Sequence, residues 1–242
     1  MEINWDRYFD HTVIVSAAKY QNRRDILDKE FKRIGLSNYE YFINIYDNLL
    51  TDKFIARSIN RRCCIHAHYF VIKRAYELGW DSVWILEDDI RFLKNESDIQ
   101  FVLDEFEQVK DQSNIYMFDW ILFQKHSDID KDYFGAASYW IDRKGMEFFI
   151  YVIEHYLVIN DTWFMTCLAY VNSISIPYNY EHMNGDVDEL VFTIPENTVL
   201  PIVLKTSSLR ICIQVDEGDV VSIYYKPQCE ENTIDGNMYE LY

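Results

Sequence analysis

Three consecutive carboxylates, Glu87, Asp88 and Asp89, directly follow an apolar run at residues 83–86. A short apolar run without a helical period, bounded by polar residues, is typical of a buried parallel strand. In open α/β sheets, chemistry is found at the carboxyl ends of such strands. Adjacent carboxylates repel one another, so the pattern predicts a divalent cation with oxygen ligands, Mg²⁺ or Mn²⁺. The alternative is a surface turn of solvated acidic side chains.

Strand and helix patterns alternate on both sides of this acidic strand end. Residues 13–15 and 41–46 have the composition of strands, and apolar spacing predicts helices over 23–35 and 63–78. Residues 115–123, interrupted by Asp119, and residues 138–141 are strand-like, and 144–158 is helical. This order predicts an α/β fold with a Rossmann-like, mostly parallel sheet flanked by helices.

The character of the chain changes after Pro195. Residues 199–204, 209–215 and 220–225 are β-like and are separated by turn signals. We therefore divide the chain into a main domain at 1–197 and a β-rich extension with an acidic tail at 198–242. The extension is interpreted either as a small β appendage or as a hairpin packed on the main sheet.

Composition limits the classes of partner. The chain has 242 residues and a formal charge of −17, with 40 acidic and 23 basic residues. General affinity for nucleic acid or for an anionic membrane needs a positive face, so neither is expected. The longest apolar stretch, residues 148–159, contains Glu154 and His155 and is too short to span a bilayer. With five cysteines in no metal-finger spacing and no signal-peptide pattern, we expect a cytoplasmic protein with reduced thiols.

Several stretches occur in an order that matches a known family. They are residues 14–16 with the loop 22–24, the helix segment 64–68, the acidic strand end 84–89, the junction 138–145, and Asp161 downstream. Together they resemble glycosyltransferase family 25, the lipopolysaccharide and collagen galactosyltransferase kind, over roughly residues 12–185. This chain departs from the family's helix motif at Asn60 and Cys63, which replace glycines, and at Ala67, which replaces a serine.

The resemblance implies a GT-A fold and an inverting hexosyltransferase reaction. It implies transfer of a sugar such as galactose from a nucleotide diphosphate donor, most simply a UDP-sugar, to a glycan or glycolipid acceptor. The pathway implied is the synthesis of surface polysaccharide or lipopolysaccharide. The oligomeric state is not implied.

Under this glycosyltransferase hypothesis, the acidic strand end at residues 87–89 holds the Mg²⁺ or Mn²⁺ ion. Asp89 is the first choice as a direct ligand, and Glu87 lies on the same side if the extended alternation persists. Asp88 then faces the donor ribose, or reaches the metal through a water molecule. His182, in the polar stretch 181–188, is the candidate to complete the metal site from a distant loop.

An inverting displacement needs a base for the acceptor hydroxyl. Asp161 is the leading candidate, with Glu181, Asp186 and Asp188 as rivals. The residues alone also allow Asp161 to be a helix N-cap, because it lies in the sequence Asn-Asp-Thr-Trp.

Basic residues supply the remaining predicted contacts to the nucleotide sugar. Arg23 and Arg24 follow the first strand, and Arg61, with its neighbour Arg62, lies at a helix start where phosphates are favoured. His68 belongs to the matched helix motif and is included with them by resemblance. From the residues alone, a buried histidine bonded to the backbone is the favoured interpretation of His68.

Two other functions remain open at this stage. A nucleotidyl- or phosphoryl-transfer enzyme would also need a metal–carboxylate site and phosphate-binding arginines. A catalytically silent GT-A-like binding module would keep the fold and use the β-rich extension as its partner surface.

Overall fold

The computed structural model describes residues 3–44, 59–119, 121–124, 131–134, 137–155, 204–209 and 211–214. The strands are β1 (Thr12–Ala17), β2 (Glu40–Asn44), β3 (Ser82–Glu87), β4 (Ile90–Phe92), β5 (Ile115–Met117), β6 (Ile121–Gln124), β7 (Lys131–Phe134), β8 (Ser138–Asp142), β9 (Leu204–Thr206) and β10 (Cys212–Gln214). The helices are α1 (Gln21–Ile34), α2 (Ile59–Glu77), α3 (Glu96–Val109) and α4 (Arg143–His155).

A six-stranded mixed sheet in the order β2-β1-β3-β8-β5-β9 forms the centre of the fold. Strand β1 pairs in parallel with both β2 and β3, and β9 pairs in parallel with β5. Strand β8 runs antiparallel between β3 and β5. Five strands therefore share one direction, which confirms the predicted α/β class with a mostly parallel sheet.

Side-chain alternation along the strands divides the core into two layers. In β3, Val83 and Ile85 pack with residues of α2 and α4, whereas Trp84 and Leu86 pack with residues of α1 and α3. This period of two is the expected geometry of an extended strand, and it explains why the run is apolar throughout. Both faces of the sheet are consequently covered by helices.

Aromatic rings fill the layer on the α1 and α3 side. The Trp84 ring lies 4.1 Å from the Phe9 ring and 5.5 Å from the Trp5 ring, measured between centroids. The indole N–H of Trp84 donates to Ser138 Oγ at 3.1 Å, so its polar atom is paired inside the core. The N-terminal segment is thereby packed against β3, directly behind the acidic strand end.

The strand-like stretch at residues 115–123, with its predicted interruption at Asp119, forms two strands. Strand β5 ends at Met117, and the backbone N–H groups of Phe118 and Asp119 both donate to the Ser138 carbonyl, at 2.9 and 3.2 Å. Two residues facing one partner residue is the pattern of a β-bulge, which bends the strand away from its sheet. Strand β6 then pairs with β7 in a separate two-stranded sheet.

The described part of the C-terminal segment belongs to the main fold. Strand β9 is the edge strand beside β5, while β10 pairs antiparallel with β4. Ile211 and Cys212 are buried in the aromatic layer. Strands β9 and β10 thus pair with two different strands of the main domain, while most of the predicted extension at 198–242 lies outside the described residues and its division from the main domain stays a prediction. None of the described helices is long and apolar enough to cross a membrane.

We predict that Gly145→Ala destabilises the protein even though alanine is the better helix former. A Cβ at position 145 would lie 2.6 Å from the Asn114 carbonyl oxygen and 2.7 Å from Ile141 Cγ1. Overpacking of this kind costs about 1–3 kcal/mol, which exceeds the gain of roughly 1 kcal/mol in helix propensity. Urea denaturation should therefore show a lower free energy of unfolding. Glu147→Ala, on the exposed face of the same helix, is the control and should change it by less than about 0.5 kcal/mol.

Candidate functional site

The parallel pairing of β1 with β3 places their carboxyl ends next to each other. Val15 is opposite Glu87 in the register, so Ser16 lies beside the first residue after β3, Asp88. The loop that leaves β1 enters α1 at Gln21, which brings the first turn of that helix to the same edge of the sheet. This edge is where an open α/β sheet presents its chemistry.

Asp88 is almost completely buried, with 4% of its surface exposed. Its Oδ2 accepts a hydrogen bond from Ser16 Oγ at 2.5 Å, and its Oδ1 accepts one from Arg23 Nη1 at 3.2 Å. Burial raises the pKa of the Asp88 carboxyl above its usual value, and the neighbouring Glu87 charge adds to the rise. The bonds from Ser16 and Arg23 oppose it by stabilising the carboxylate.

Arg23 joins the two aspartates. The same nitrogen that bonds Asp88, Nη1, also lies 3.0 Å from Asp89 Oδ2, and Asp89 is 8% exposed. The guanidinium carbon is 4.0 Å from the centre of the Tyr20 ring, a cation–π distance. One positively charged atom is therefore held between two buried carboxylates.

Arg24 has a different position and set of partners. Its Nη1 donates to Ser16 Oγ and to the Ala17 carbonyl, both at 2.7 Å, while Nη2 donates to Ala18 and Gln21 oxygen atoms at 3.3 and 2.9 Å. The residue is 7% exposed. Its guanidinium thus organises the loop between β1 and α1, and a phosphate could be bound by Arg24 only at the expense of these bonds.

His68 connects the acidic strand end to α2. It is 3% exposed, with Nδ1 at 2.9 Å from the Tyr139 hydroxyl and Nε2 at 3.2 Å from Glu87 Oε1. If Glu87 is ionised, Nε2 carries the proton that it donates, and the Tyr139 hydroxyl donates to Nδ1. His68 is buried as expected from the residues, but its partners are side chains and not backbone groups.

The three carboxylates do not share one environment. Strand β3 ends at Glu87, so the extended alternation expected to bring Glu87 and Asp89 to one side does not continue to Asp89. Glu87 follows the alternation of β3 and meets His68 on the α2 side of the sheet. Asp88 and Asp89, which lie in the turn between β3 and β4, meet Arg23 instead.

Arg91 is a residue of this site that the sequence analysis did not select. It is half-buried on β4, and its Nη1 donates to the Ile90 carbonyl at 2.6 Å. Burial lowers the pKa of Arg91, while the charges of Glu30, Asp89 and Asp88 act to raise it and the Arg23 charge to lower it. The signal that could have identified it is a cation two residues after the acidic triplet.

Other predicted residues lie outside the described residues. These are Asp161, Glu181, His182, Asp186 and Asp188, together with the side chains of Arg61 and Arg62. Within the part of the chain that the structure describes, no three His, Cys, Asp or Glu side chains are grouped closely enough to hold a metal ion. Asp88 and Asp89 are the described carboxylates that converge on one cation, and they are the residues that could hold a metal here.

No protein-family profile matches the sequence, and no curated protein matches it. The resemblance to glycosyltransferase family 25 therefore finds no support in these comparisons.

Comparison with solved structures finds distant similarities. A glycosyltransferase involved in the glycosylation of the major capsid of PBCV-1 matches 60% of this chain, at 10% identity and a TM-score of 0.38. The match spans 66% of that protein, slightly under two thirds of its length. Mouse xyloside xylosyltransferase 1 matches 64% of this chain and 80% of its own, at 9% identity and a TM-score of 0.39. HddC from Yersinia pseudotuberculosis matches 55% of this chain and 57% of its own, at 12% identity and a TM-score of 0.26. Similarity at this level does not establish a shared function.

We predict that Asp88→Asn becomes relatively more stable than the wild type as pH rises. Because the folded-state pKa of Asp88 is raised above its usual 3.8, the folded protein retains this proton when the unfolded chain has lost it. Stability from this group is thus present below 3.8 and is lost as pH rises through the folded-state pKa. Asparagine cannot titrate, so the difference in free energy of unfolding, variant minus wild type, should increase with pH.

Urea denaturation at a series of pH values, with chelator present, measures this difference. Ser16→Ala should extend the wild-type loss of stability to higher pH, because the Ser16 hydrogen bond opposes the rise in the pKa of Asp88. A difference between Asp88→Asn and wild type that is constant or falls with pH would contradict the prediction.

We also predict that Tyr139→Phe lowers stability by about 1–3 kcal/mol, because it removes a hydroxyl bonded to a buried ring nitrogen of His68. Chemical denaturation gives the value. Tyr39→Phe is the matched control, since the Tyr39 hydroxyl bonds Asp28 at an exposed position. Equal losses in the free energy of unfolding would show that the buried Tyr139–His68 contact contributes no more than the exposed Tyr39–Asp28 contact.

Proposed function

We propose that this chain is a glycosyltransferase with a GT-A-like fold, which binds the diphosphate of a nucleotide sugar at the joined ends of β1 and β3. The observation that supports this most directly is the convergence of Asp88 and Asp89 on one cationic atom of Arg23, at 3.2 and 3.0 Å. A departing nucleoside diphosphate develops negative charge, and catalysis requires positive charge placed in advance at that position. Asp88 and Asp89 could hold a cation, and together with Arg23 this cation would supply the positive charge for the diphosphate.

The donor set fits a hard divalent cation. Mg²⁺ is typically held by one or two carboxylates, with substrate phosphates and water completing its ligands, and Mn²⁺ accepts similar oxygen ligands. Asp88 Oδ1 and Asp89 Oδ2 both approach a single point occupied by Arg23 Nη1, so two carboxylate oxygen atoms are available at one position. Such an ion, when bound, would supply positive charge to the diphosphate leaving group. Glu87 and His182 stay predictions as further ligands.

Other residues at the site position the loop and the strand end, and one contacts the donor phosphate. Ser16 and Arg24 hold the loop between β1 and α1 against the site, through the bonds to Asp88 Oδ2 and the Ala17 carbonyl. His68 holds Glu87 in a fixed orientation at the end of β3. We propose Arg23 as the donor-phosphate contact, because its guanidinium is at the site and can donate to phosphate oxygen atoms.

The finer assignments are proposals of the same kind. The donor is a UDP-sugar, with galactose as the candidate sugar, and the acceptor is a glycan or glycolipid of a surface polysaccharide or lipopolysaccharide pathway. Asp161 is the proposed base for the acceptor hydroxyl in an inverting reaction. A thermal-shift screen of nucleotide sugars, with Mn²⁺ and with chelator, identifies the donor because a ligand that binds the folded state raises apparent stability.

We predict that Asp89→Asn reduces sugar transfer by about 10²-fold or more, because it removes a carboxylate charge that organises the cation site. The assay is release of nucleoside diphosphate from the donor identified in the screen. Asp81→Asn is the matched control: Asp81 precedes the same strand, at its opposite end, and is exposed. Transfer by this control should equal that of the wild type.

Three outcomes would contradict the proposed function. Unchanged transfer in Asp89→Asn would place the chemistry elsewhere. Release of pyrophosphate in place of nucleoside diphosphate would indicate a nucleotidyltransferase. A well-folded wild-type protein that binds no nucleotide sugar, with or without Mn²⁺, would favour a binding module.

A further inference from the structure

We propose that Arg23 is an exchangeable counter-ion. In the ligand-free protein its guanidinium neutralises Asp88 and Asp89, and it transfers to the donor diphosphate when a divalent cation binds between the two carboxylates. This inference rests on the proposed function, because it concerns the order in which metal and nucleotide diphosphate occupy that site.

Arg23 and a metal ion compete for the position beside the carboxylate oxygen atoms of Asp88 and Asp89. Arg23 Nη1 is within 3.2 Å of Asp88 Oδ1 and 3.0 Å of Asp89 Oδ2. A metal ion ligated by both oxygen atoms would lie about 2.0–2.1 Å from each if it is Mg²⁺, nearer to them than Nη1 is. An ion on the side of the two oxygen atoms where Nη1 lies would overlap the guanidinium, and two cations so close would also repel each other. Binding of the ion on that side therefore requires the guanidinium to leave.

Burial of Asp88 and Asp89 requires positive charge beside them before any metal binds. The side chains of Asp88 and Asp89 are 6% and 11% exposed, and that of Arg23 is 16% exposed. Buried carboxylates without a positive partner are strongly destabilising. Arg23 thus stabilises the acidic turn in the absence of metal, and it does so at the cost of weakening metal binding.

The adjacent arginine, Arg24, has different hydrogen-bond partners from Arg23. Arg24 bonds to the Ala17 and Ala18 carbonyl oxygen atoms and holds the backbone of the loop. Arg23 instead pairs with the site carboxylates, so its release would not break those loop bonds. A displaced guanidinium needs new acceptors, and the oxygen atoms of a diphosphate match its planar donors.

The consequence is cooperative binding of metal and nucleotide diphosphate. Metal alone must displace Arg23 from both carboxylates, whereas metal together with the diphosphate offers the displaced guanidinium phosphate oxygen atoms as acceptors. Each ligand should therefore increase the affinity of the other by the same factor, as linkage requires.

The experiment measures Mn²⁺ binding by electron paramagnetic resonance, with and without UDP, in wild type, Arg23→Gln, Arg23→Lys and Arg91→Gln. Without UDP, Arg23→Gln should bind Mn²⁺ more tightly than wild type by at least about fivefold, because its competitor is gone. In the same variant, UDP should bind more weakly in the presence of Mn²⁺, and the coupling factor should fall. Arg23→Lys retains the charge and should bind Mn²⁺ with an affinity close to that of the wild type.

Arg91→Gln is the matched control, because it removes a positive charge near the aspartates that bonds to the Ile90 carbonyl. It should change Mn²⁺ affinity less than Arg23→Gln does. Equal tightening in both variants would show a general charge effect and overturn the exchange. Weaker Mn²⁺ binding in folded Arg23→Gln without UDP would make Arg23 a structural residue only.

The remaining outcomes separate this inference from the proposed function. UDP binding to the wild type without any detectable Mn²⁺ binding would overturn the exchange and leave a donor site in place. Failure of the folded wild type to bind either ligand would overturn the proposed function itself.

Discussion

Asp88 and Asp89 are both buried, and two negative charges in such an environment are stable only when donors and positive charge surround them. Ser16 and Arg23 provide these groups, and both come from the segment that follows β1. The parallel pairing of β1 with β3 is what brings that segment to the acidic turn. Among the described residues, the site therefore depends on a charge-compensating contact across two neighbouring strand ends.

The support around this contact comes from the core on both sides of the sheet. On one side, Trp84 is enclosed by the aromatic rings of Trp5 and Phe9, which fixes β3 against the N-terminal segment. On the other side, His68 and Tyr139 hold Glu87 at the end of the strand. Because both layers are closely packed, the position of the acidic turn is determined before any ligand binds.

The sequence predicted the α/β class and the location of the acidic strand end, because strand and helix periods and an apolar run before three acids are local signals. It was less successful where a long-range contact decides the outcome. Asp119 indicated where the strand is interrupted, but the bulge there depends on the distant Ser138 carbonyl, which accepts from the N–H groups of Phe118 and Asp119. Strand β9 pairs with β5 and strand β10 with β4, which no local pattern in those strands specifies.

The same distinction holds for the site. By itself the sequence determined which residue types follow each strand, and so it identified Arg23, Asp88 and Asp89 as candidates for one site. Only the tertiary structure decided that Arg23 pairs with the carboxylates while Arg24 holds the loop, because the two are adjacent in sequence and differ only in the direction each takes from the first turn of α1. It also decided that Arg91 lies near the aspartates and that His68 bonds Glu87. Such pairings depend on how strands and helices are placed in space, and residue type and spacing along the chain do not contain that information.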